Sequence, residues 1–205
     1  MSDRKEICFS QMQLLFARPP QMETEHLILR ALRMRDAHDL YAYASDPEVS
    51  RYVLWNTHTS LRDSCRQLRG AIRQYRYGEP CSWGIVSKSN NLLIGTIGFM
   101  WLNPEARSAE IGYSLSREYW NRGLMTEALS RMIEFSFEEL RLNRLEAQYV
   151  PQNPASGRVM LKCGLQQEGL LRRRVRLKGC YTDVILCSIL QDEYLTMKNK
   201  RRDRL

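Results

Sequence analysis

The sequence is poor in the features that mark membrane, secreted and metal-binding proteins. It has no apolar run long enough to span a bilayer, and residues 1–6 carry charges of both signs where a secretory signal has an apolar core. Its six cysteines form no C-x-x-C pair, which argues against a zinc site and against a disulfide framework in a chain of this length. We therefore expect a cytoplasmic protein with reduced thiols, no metal and no membrane partner.

Length and composition indicate one soluble domain with a basic character. The chain has 205 residues, 43% of them hydrophobic, and a formal net charge of +8. A basic surface suits anionic partners such as a nucleotide cofactor, RNA, a ribosome or an acidic peptide, although it also serves solubility alone. We interpret residues 1–21 as an N-terminal extension, 22–195 as the single domain and 196–205 as a basic tail that frays.

Periodicity and turn signals predict a mixture of helices and antiparallel hairpins. Asp36 is a candidate N-cap for one helix, and Ser60 with Asp63 is a candidate capping box for a longer one. The predicted helices cover 37–45, 61–77, 126–140 and 154–163, and the predicted strands cover 27–32, 82–87, 92–102, 108–115, 145–150, 165–177 and 181–190. This mixture indicates an α+β fold with a mixed sheet.

The most informative stretch joins the predicted strand 109–115 to a predicted helix through a loop that contains one glycine, Gly123. A helix start directs free backbone N–H groups, and the positive end of the helix dipole, at whatever lies in front of it. A glycine there lets a ligand approach the backbone closely. The geometry alone thus indicates an anion site, with an ordinary turn as the alternative.

Four motifs follow one another in this part of the chain: Glu110-Ile111-Gly112-Tyr113, Trp120-Asn121-Arg122-Gly123-Leu124-Met125-Thr126-Glu127-Ala128, Asn153-Pro154-Ala155-Ser156-Gly157-Arg158-Val159-Met160 and Lys162-Cys163-Gly164-Leu165. In this order and spacing they resemble the GNAT superfamily of acetyl-CoA-dependent N-acetyltransferases, most closely its ribosomal-protein N-terminal acetyltransferase (RimJ/RimL-like) branch. The resemblance covers nearly the whole chain. It implies a GNAT-type fold with a mixed, largely antiparallel central sheet flanked by helices. It also implies acetyl transfer from acetyl-CoA to a primary amine, with a protein N-terminus as the favoured acceptor.

The resemblance implies that the loop of residues 121–126 binds the pyrophosphate of acetyl-CoA through backbone N–H groups. The family pattern is Q/R-x-x-G-x-G/A, and here Trp120 and Met125 stand at its first and last positions, so Gly123 is the strict match. Because backbone N–H donors do not depend on side-chain identity, we still expect this loop to bind the pyrophosphate. The resemblance also implies contacts from Arg122 and Arg158, for which the alternative is an ordinary solvated arginine on the surface. The implied cofactor-binding residues are Leu115, Arg122, Gly123, Leu124, Met125, Thr126, Asn153 and Arg158.

Glu110 is the candidate general base. In the family an acidic residue often occupies this strand and acts directly or through a water. A glutamate within an otherwise apolar strand is costly unless it is paired or useful, because burial raises the pKa of its carboxyl. Strand alternation puts Glu110 on one face and Tyr113 on the other. The alternative is a structural glutamate at an edge, paired with an arginine.

Asn153 and Ser156 form the second motif, N-x-x-S. The resemblance implies that Asn153 contacts the pantetheine arm or the reaction site, and that Ser156 hydrogen-bonds the sulfur as general acid. The structural alternative is a helix start with Asn153 as N-cap and Pro154 at the first helical position. Many relatives have a tyrosine where this chain has Met160. Ser156 is then the one hydroxyl that the two motifs place near the sulfur, and solvent is the alternative proton donor.

A run of arginines occupies residues 172–176 within a predicted strand. Strand alternation predicts that Arg172, Arg174 and Arg176 share one face. Such a face suits RNA or an acidic peptide, and solvation alone also explains it. Aromatic residues do not alternate with these arginines, so we do not expect direct nucleic-acid binding.

The acceptor remains open at this stage. A small-molecule amine (a polyamine, an amino sugar or an antibiotic) is an alternative to a protein N-terminus, and a regulatory module that binds acetyl-CoA without turnover is a third interpretation. Retention of Glu110, Asn153 and Ser156 argues against that third interpretation. The family's acceptor pocket corresponds to residues 36–77 and 170–181 here, and both a monomer and a homodimer are compatible with the sequence.

Overall fold

The computed structural model of the chain describes residues 8–202. Its α-helices are α1 Phe9–Ala17, α2 Ala37–Ala44, α3 Pro47–Ser50, α4 Leu61–Tyr77, α5 Leu124–Glu138, α6 Pro154–Lys162 and α7 Gln191–Arg202. Its strands are β1 Met22–Glu23, β2 Leu27–Ala31, β3 Ser82–Ser87, β4 Leu93–Asn103, β5 Ser108–Leu115, β6 Arg144–Tyr149, β7 Gln166–Leu177 and β8 Cys180–Leu190. Among these helices none is long and apolar enough to cross a lipid bilayer.

The strands form one eight-stranded sheet in the order β1-β2-β3-β4-β5-β6-β8-β7. Every neighbouring pair is antiparallel except β5 with β6, which confirms the expected mixed, largely antiparallel α+β sheet. The parallel pairing of β5 with β6 spans three positions and ends at Glu110 opposite Glu146. Beyond that point β5 continues to Leu115 and β6 to Tyr149, so the two strands separate and leave an opening in the sheet.

Local signals explain most of the element boundaries. The carboxylate of Asp63 accepts the N–H of Ser60 at 3.0 Å, as the capping box predicted. Gly164 ends α6 with φ of 93°, a backbone region that glycine enters at little cost. Asp36 occupies the N-cap position of α2 as predicted, but its side chain makes no capping hydrogen bond. Its buried carboxylate instead binds the guanidinium of Arg30 through two hydrogen bonds of 2.8 and 2.9 Å, because an intervening 3₁₀ turn directs it inward.

Aromatic rings join the sheet to α5 at the centre of the core. Trp83 on β3 is fully buried, and its ring lies edge-on to Phe135 of α5 with centroids 5.4 Å apart. Phe99 on β4 lies edge-on to Trp83 at 6.1 Å. Such packing fixes α5 over β2 and β4, and it therefore also fixes where the N-terminus of α5 points.

Both ends of the described chain are more ordered than the sequence indicated. Residues 9–17, within the expected N-terminal extension, form α1, whose Met12 and Phe16 are buried in the core. The expected fraying tail is helical as far as Arg202, and Lys198 pairs with Glu138 of α5. Residues 1–7 and 203–205 of the predicted termini lie outside the described residues.

Replacing Phe16 with Ala tests whether α1 is part of the domain core. Phe16 is 1% exposed and packs edge-on against Phe99 at 5.6 Å, so its removal leaves a cavity. We expect the free energy of unfolding to fall by about 3–5 kcal/mol in chemical denaturation. Phe9→Ala on the same helix is the matched control, since Phe9 is 52% exposed and should change stability by less than about 0.5 kcal/mol. Equal effects of the two variants would mean that α1 does not dock as described.

Candidate active site

A cavity of about 280 Å³ occupies the opening between β5 and β6. One side is formed by β5 and β6, and another by the first turns of α6. The rest is closed by the loop that follows α3 and by inward-facing residues of β7 and β8. Among the described residues that line this cavity, Glu110 is the one with a charged side chain at neutral pH. The walls are otherwise apolar, aromatic or uncharged polar: Tyr52, Val53, Leu54, Trp55, Gln67, Ser82, Thr96, Met100, Tyr113, Tyr149, Met160, Val175, Leu177 and Val184.

Neutral donors, not an arginine, hold the carboxylate of Glu110. Trp101 Nε1 donates to its Oε2 at 2.7 Å, and Gln148 Nε2 donates to its Oε1 at 2.9 Å. Burial raises the pKa of Glu110 above the ordinary glutamate value of 4.5, and the two hydrogen bonds only partly oppose that rise. The alternative of a glutamate held in an ion pair at an edge therefore does not describe this residue.

A β-bulge brings Trp101 to Glu110. The register of β4 with β5 places Phe99 opposite Ile111, which on regular pairing would put Met100 opposite Glu110. The extra residue in β4 shifts the register by one, so Trp101 stands opposite Glu110. The indole is a donor only, and it can therefore stabilise a carboxylate acceptor without competing for its proton.

Two hydroxyls meet across the cavity at the start of α6. The Tyr113 hydroxyl donates to the backbone carbonyl of Ser156 at 3.1 Å and lies 3.0 Å from Ser156 Oγ. With its single proton given to that carbonyl, Tyr113 accepts the proton of the Ser156 hydroxyl. Burial raises the pKa of Tyr113, which keeps the phenol protonated at neutral pH.

Tyr113 was missed from the sequence for two reasons. Strand alternation placed it on the face away from Glu110, yet both residues line the same cavity. The cavity lies at the separated edge of β5 and not on one face of the sheet, so side chains from either face reach it. The sequence indicated Ser156 as the one hydroxyl in this region, and the structure adds the hydroxyl of Tyr113, 3.0 Å from Ser156 Oγ.

The start of α6 is built as the sequence predicted. The side chain of Asn153 accepts the N–H of Ser156 at 3.4 Å as N-cap, and Pro154 occupies the first turn. The residue after Ser156, Gly157, has no room for a side chain, because a Cβ at that position would lie 2.5 Å from the ring of Tyr149 on β6. Asn153, Ser156 and the buried Met160 line the cavity, whereas Arg158 is exposed on the outer side of the helix.

The loop before α5 presents free helix-start amides. α5 begins at Leu124, two residues earlier than predicted, and no side chain caps it because its N-cap is Gly123, with φ of 79°. Leu124, Met125 and Thr126 thus form its first turn. No heavy atom lies within 4 Å of a Cβ built on Gly123, so the space in front of the helix is open.

Side chains around this loop hold it without covering the helix start. Trp120 Nε1 donates to the carbonyl of Leu115 at 2.8 Å, which ties the loop to the end of β5. The guanidinium of Arg122 lies over the ring of Tyr119, 5.5 Å from its centroid. Trp120, which departs from the family pattern, therefore has a structural role in fixing the loop.

The far wall of the cavity joins two segments distant in sequence. Residues 52–55 and Gln67 come from the first predicted acceptor segment, and Val175 and Leu177 come from the second. Lys178, at the tip of the β7–β8 hairpin, donates to the carbonyl of Trp55 and lies 3.4 Å from Asn56 Oδ1. This contact connects the hairpin to the loop that follows α3.

Comparisons with known proteins identify the family to which the chain belongs. A family model described as an acetyltransferase (GNAT) domain matches residues 26–166. The chain is 36% identical to the uncharacterized N-acetyltransferase p20 of Bacillus licheniformis over 171 residues, which cover 83% of this chain and 96% of that protein. It is 29% identical to a spermidine N(1)-acetyltransferase of Vibrio cholerae (82% and 95% covered) and 24% identical to the [ribosomal protein uS5]-alanine N-acetyltransferase of Escherichia coli (85% and 92% covered).

A solved structure has the same fold. It is a ribosomal L7/L12 α-N-protein acetyltransferase in complex with coenzyme A, which superposes with a TM-score of 0.76 at 21% identity and covers 85% of this chain and 99% of its own. The family match spans well over half of the sequence, and the p20 alignment spans most of both chains. The chain therefore belongs to the GNAT acetyltransferase family and is an acetyl-CoA-dependent N-acetyltransferase.

Proposed function

We propose that this enzyme acetylates a protein N-terminus by direct attack of the amine on the thioester, with Glu110 as general base. The observation that carries the proposal is the position of Glu110. It is a half-buried carboxylate whose hydrogen-bond donors are neutral, and it shares a small cavity with the Ser156–Tyr113 hydroxyl pair. One group there can accept a proton and another can donate one, which is what acyl transfer to an amine requires.

The open helix start of α5 suits the pyrophosphate of acetyl-CoA. Its first-turn amides at Leu124, Met125 and Thr126 have no side-chain cap, and Gly123 leaves the approach open. The Arg122 side chain lies beside this site and adds positive charge. We assign Arg158 to the periphery of the cofactor site, since it is exposed on α6.

The separated edge of β5 suits the pantetheine arm. From Ile111 to Leu115, β5 pairs with β4 on one side and no longer with β6 on the other. Its backbone groups on the free side need partners, and a ligand that carries amides can supply them. An extended arm running from the α5 start along this edge reaches the cavity where Glu110, Asn153 and Ser156 meet.

Two sets of residues in the cavity carry out the proton transfers. Glu110 accepts a proton from the amine, whose nitrogen then forms a bond to the acetyl carbon. The carbon–sulfur bond breaks, and the thiolate takes a proton from the Ser156–Tyr113 pair, which takes in turn the second proton that the attacking nitrogen must lose. The raised pKa of Tyr113 keeps that pair protonated until the thiolate forms. The aromatic walls exclude water, which strengthens each of these interactions.

Charge in the cavity favours a protein N-terminus over a polyamine. A polyamine carries several ammonium groups, whereas Glu110 is the single carboxylate among the described lining residues. Relatives of both kinds exist, one acting on spermidine and one on a ribosomal protein. A cavity with one negative charge suits an acceptor that brings one amine, on a first residue with an uncharged side chain.

A panel of acceptors tests the proposal. Thiol release from acetyl-CoA should be fastest with peptides that have a free N-terminus, slower with spermidine and absent with the same peptides after N-terminal blocking. Fastest turnover with a polyamine or an aminoglycoside would reassign the acceptor. If the protein binds acetyl-CoA but acetylates no amine in the panel, it is a regulatory module that binds acetyl-CoA without turnover.

Replacing Glu110 with Gln should lower turnover by about a hundredfold or more and leave acetyl-CoA affinity unchanged, since the base acts on the amine. A base must be deprotonated, so wild-type kcat/KM should fall as pH drops through the pKa of Glu110, which lies above 4.5. The variant should lack this acidic limb and follow only the ionisation of the amine, at about pH 8. Steady-state kinetics between pH 5 and 9 and calorimetric titration with acetyl-CoA measure both effects.

Glu146→Gln is the matched control for this variant. Glu146 stands opposite Glu110 on β6 but is held by Arg144 at 2.6 Å and does not line the cavity. The rate of the Glu146→Gln variant at pH 8 should match that of the wild type. Its acidic limb should move to lower pH, because the charge of Glu146 helps to raise the pKa of Glu110. Wild-type activity of Glu110→Gln across the range would make Glu110 structural.

Replacing Ser156 with Ala, or Tyr113 with Phe, tests the proton donor. Each variant should lose roughly tenfold to a thousandfold in turnover with little change in acetyl-CoA affinity. The turnover of the double variant should be close to that of the less active single variant, because the two hydroxyls act as one unit. Ser82→Ala removes a hydroxyl elsewhere in the cavity wall and should retain full rate. Full rate in Ser156→Ala, with only a lower melting temperature, would reduce Ser156 to a helix-start residue.

Replacing Gly123 with Val should weaken acetyl-CoA binding by about tenfold or more, which corresponds to about 1.4 kcal/mol. The new side chain would enter the open space in front of α5 and strain a backbone with φ of 79°. Gly179→Val is the matched control, since Gly179 has φ of 87° and equally open surroundings at the hairpin tip. Calorimetric titration should show normal acetyl-CoA affinity in the control. Equal affinities in both variants would place the phosphate site elsewhere.

A further inference from the structure

The arginine run of β7 forms an outward-facing bulge. β7 is an edge strand that pairs with β8 alone, and its register breaks between Leu171 and Val175. Residues 172–174 stand opposite the single residue Asp183, and the N–H of Arg173 donates to Asp183 Oδ1 at 2.7 Å. The bulge therefore breaks the predicted alternation between Arg172 and Arg174, whereas Arg174 and Arg176 flank Val175, from which the pairing is regular. The bulge leaves all of the arginines of the run exposed.

These exposed side chains carry uncompensated positive charge. Among the described residues, no ion pair joins the guanidinium of Arg172, Arg173, Arg174 or Arg176 to a carboxylate. Arg176 Nε instead donates to the backbone carbonyl of Gly179 at 3.2 Å. Asp183 offsets one charge beneath the bulge, so the arginine bulge (residues 172–174 with Arg176) remains strongly positive.

The arginine bulge adjoins the cavity along one strand. Val175 and Leu177 line the cavity wall, while Arg174 and Arg176 precede and follow Val175 on the outside. Because Val175 and Leu177 line the cavity while the arginines on either side of Val175 are exposed, the bulge lies beside the cavity wall. A chain that leaves the cavity past Val175 therefore passes the arginines within about two or three residues, at about 3.3 Å per extended residue.

We propose that the arginine bulge binds acidic side chains of the acceptor protein, at roughly the third to fifth residues after its acetylated N-terminus. This inference rests on the proposed function and adds to it a substrate class, an N-terminus with a neutral first residue and an acidic following segment. Guanidinium groups bind carboxylates in bidentate geometry, so the bulge selects as well as attracts. The same charge repels polyamines from the cavity.

RNA is the other polyanion that such a patch suits, and the structure favours the peptide. Stacking platforms for single-stranded RNA need several aromatic rings along the track, whereas the exposed aromatic ring paired with the bulge is Tyr181, opposite Arg176. The continuity of β7 with the cavity wall also ties whatever binds the bulge to whatever enters the active site.

Matched peptides test the proposal. Two acceptors share the same neutral N-terminal residue, and one has Asp and Glu where the other has Asn and Gln at roughly the third to fifth positions. Wild-type kcat/KM should be about tenfold higher for the acidic peptide at low salt, and the ratio should shrink as salt screens the charges. The double variant Arg172→Gln/Arg174→Gln should bring the ratio close to one while keeping kcat/KM for the neutral peptide.

A control and three outcomes complete the experiment. Arg69→Gln/Arg76→Gln removes the same charge from the exposed side of α4 and should keep the wild-type ratio. Equal kcat/KM for both peptides in the wild type would overturn the inference while leaving the proposed function intact. No turnover of either peptide would overturn the proposed function itself. An unchanged peptide ratio in Arg172→Gln/Arg174→Gln, with loss of binding to a fluorescent oligoribonucleotide, would assign the bulge to RNA and also overturn the inference.

Discussion

The candidate active site depends on one interruption in the sheet, where the parallel pairing of β5 with β6 stops after Glu110. If the two strands stayed paired, their backbone groups would satisfy each other and no cavity would exist between them. Their separation leaves one edge of β5 free, lets side chains from both of its faces reach the same space, and brings the start of α6 against that space. The contact of Gly157 with Tyr149, which leaves no room for a side chain, seats α6 against β6 at this point.

The electrostatics of the cavity follow from that architecture. Glu110 is partly buried and its hydrogen-bond donors are neutral, so its carboxyl holds a proton more tightly than an exposed glutamate does. An arginine in place of Trp101 or Gln148 would lower that pKa and weaken Glu110 in its proposed role as a base. The bulge in β4 that positions Trp101 is thus a chemical feature as well as a geometric one.

Local sequence signals predicted the features that depend on residues close together in the chain. The strand–loop–helix around Gly123, the capping of α6 by Asn153 and the hairpin turns are encoded within a few residues, and the structure contains each of them. The contact of Tyr113 with Ser156 joins residues far apart in the chain, and it arises from the separation of β5 and β6, which periodicity does not reveal. Similarly, a bulge in β7 interrupts the expected alternation of arginines between Arg172 and Arg174 and leaves Arg173 exposed as well, because strand patterns assume a regular register.

A crystal structure with coenzyme A and an acetylated N-terminal peptide tests the central claim most directly, since it places both products in the opening at once. The account predicts the pyrophosphate at the first turn of α5 and the pantetheine arm along the free edge of β5. It also predicts the sulfur within hydrogen-bond reach, about 3 Å, of the Ser156–Tyr113 pair, and the peptide nitrogen within that reach of Glu110 directly or through one water. Coenzyme A bound away from this edge, or a peptide nitrogen remote from Glu110, would contradict it.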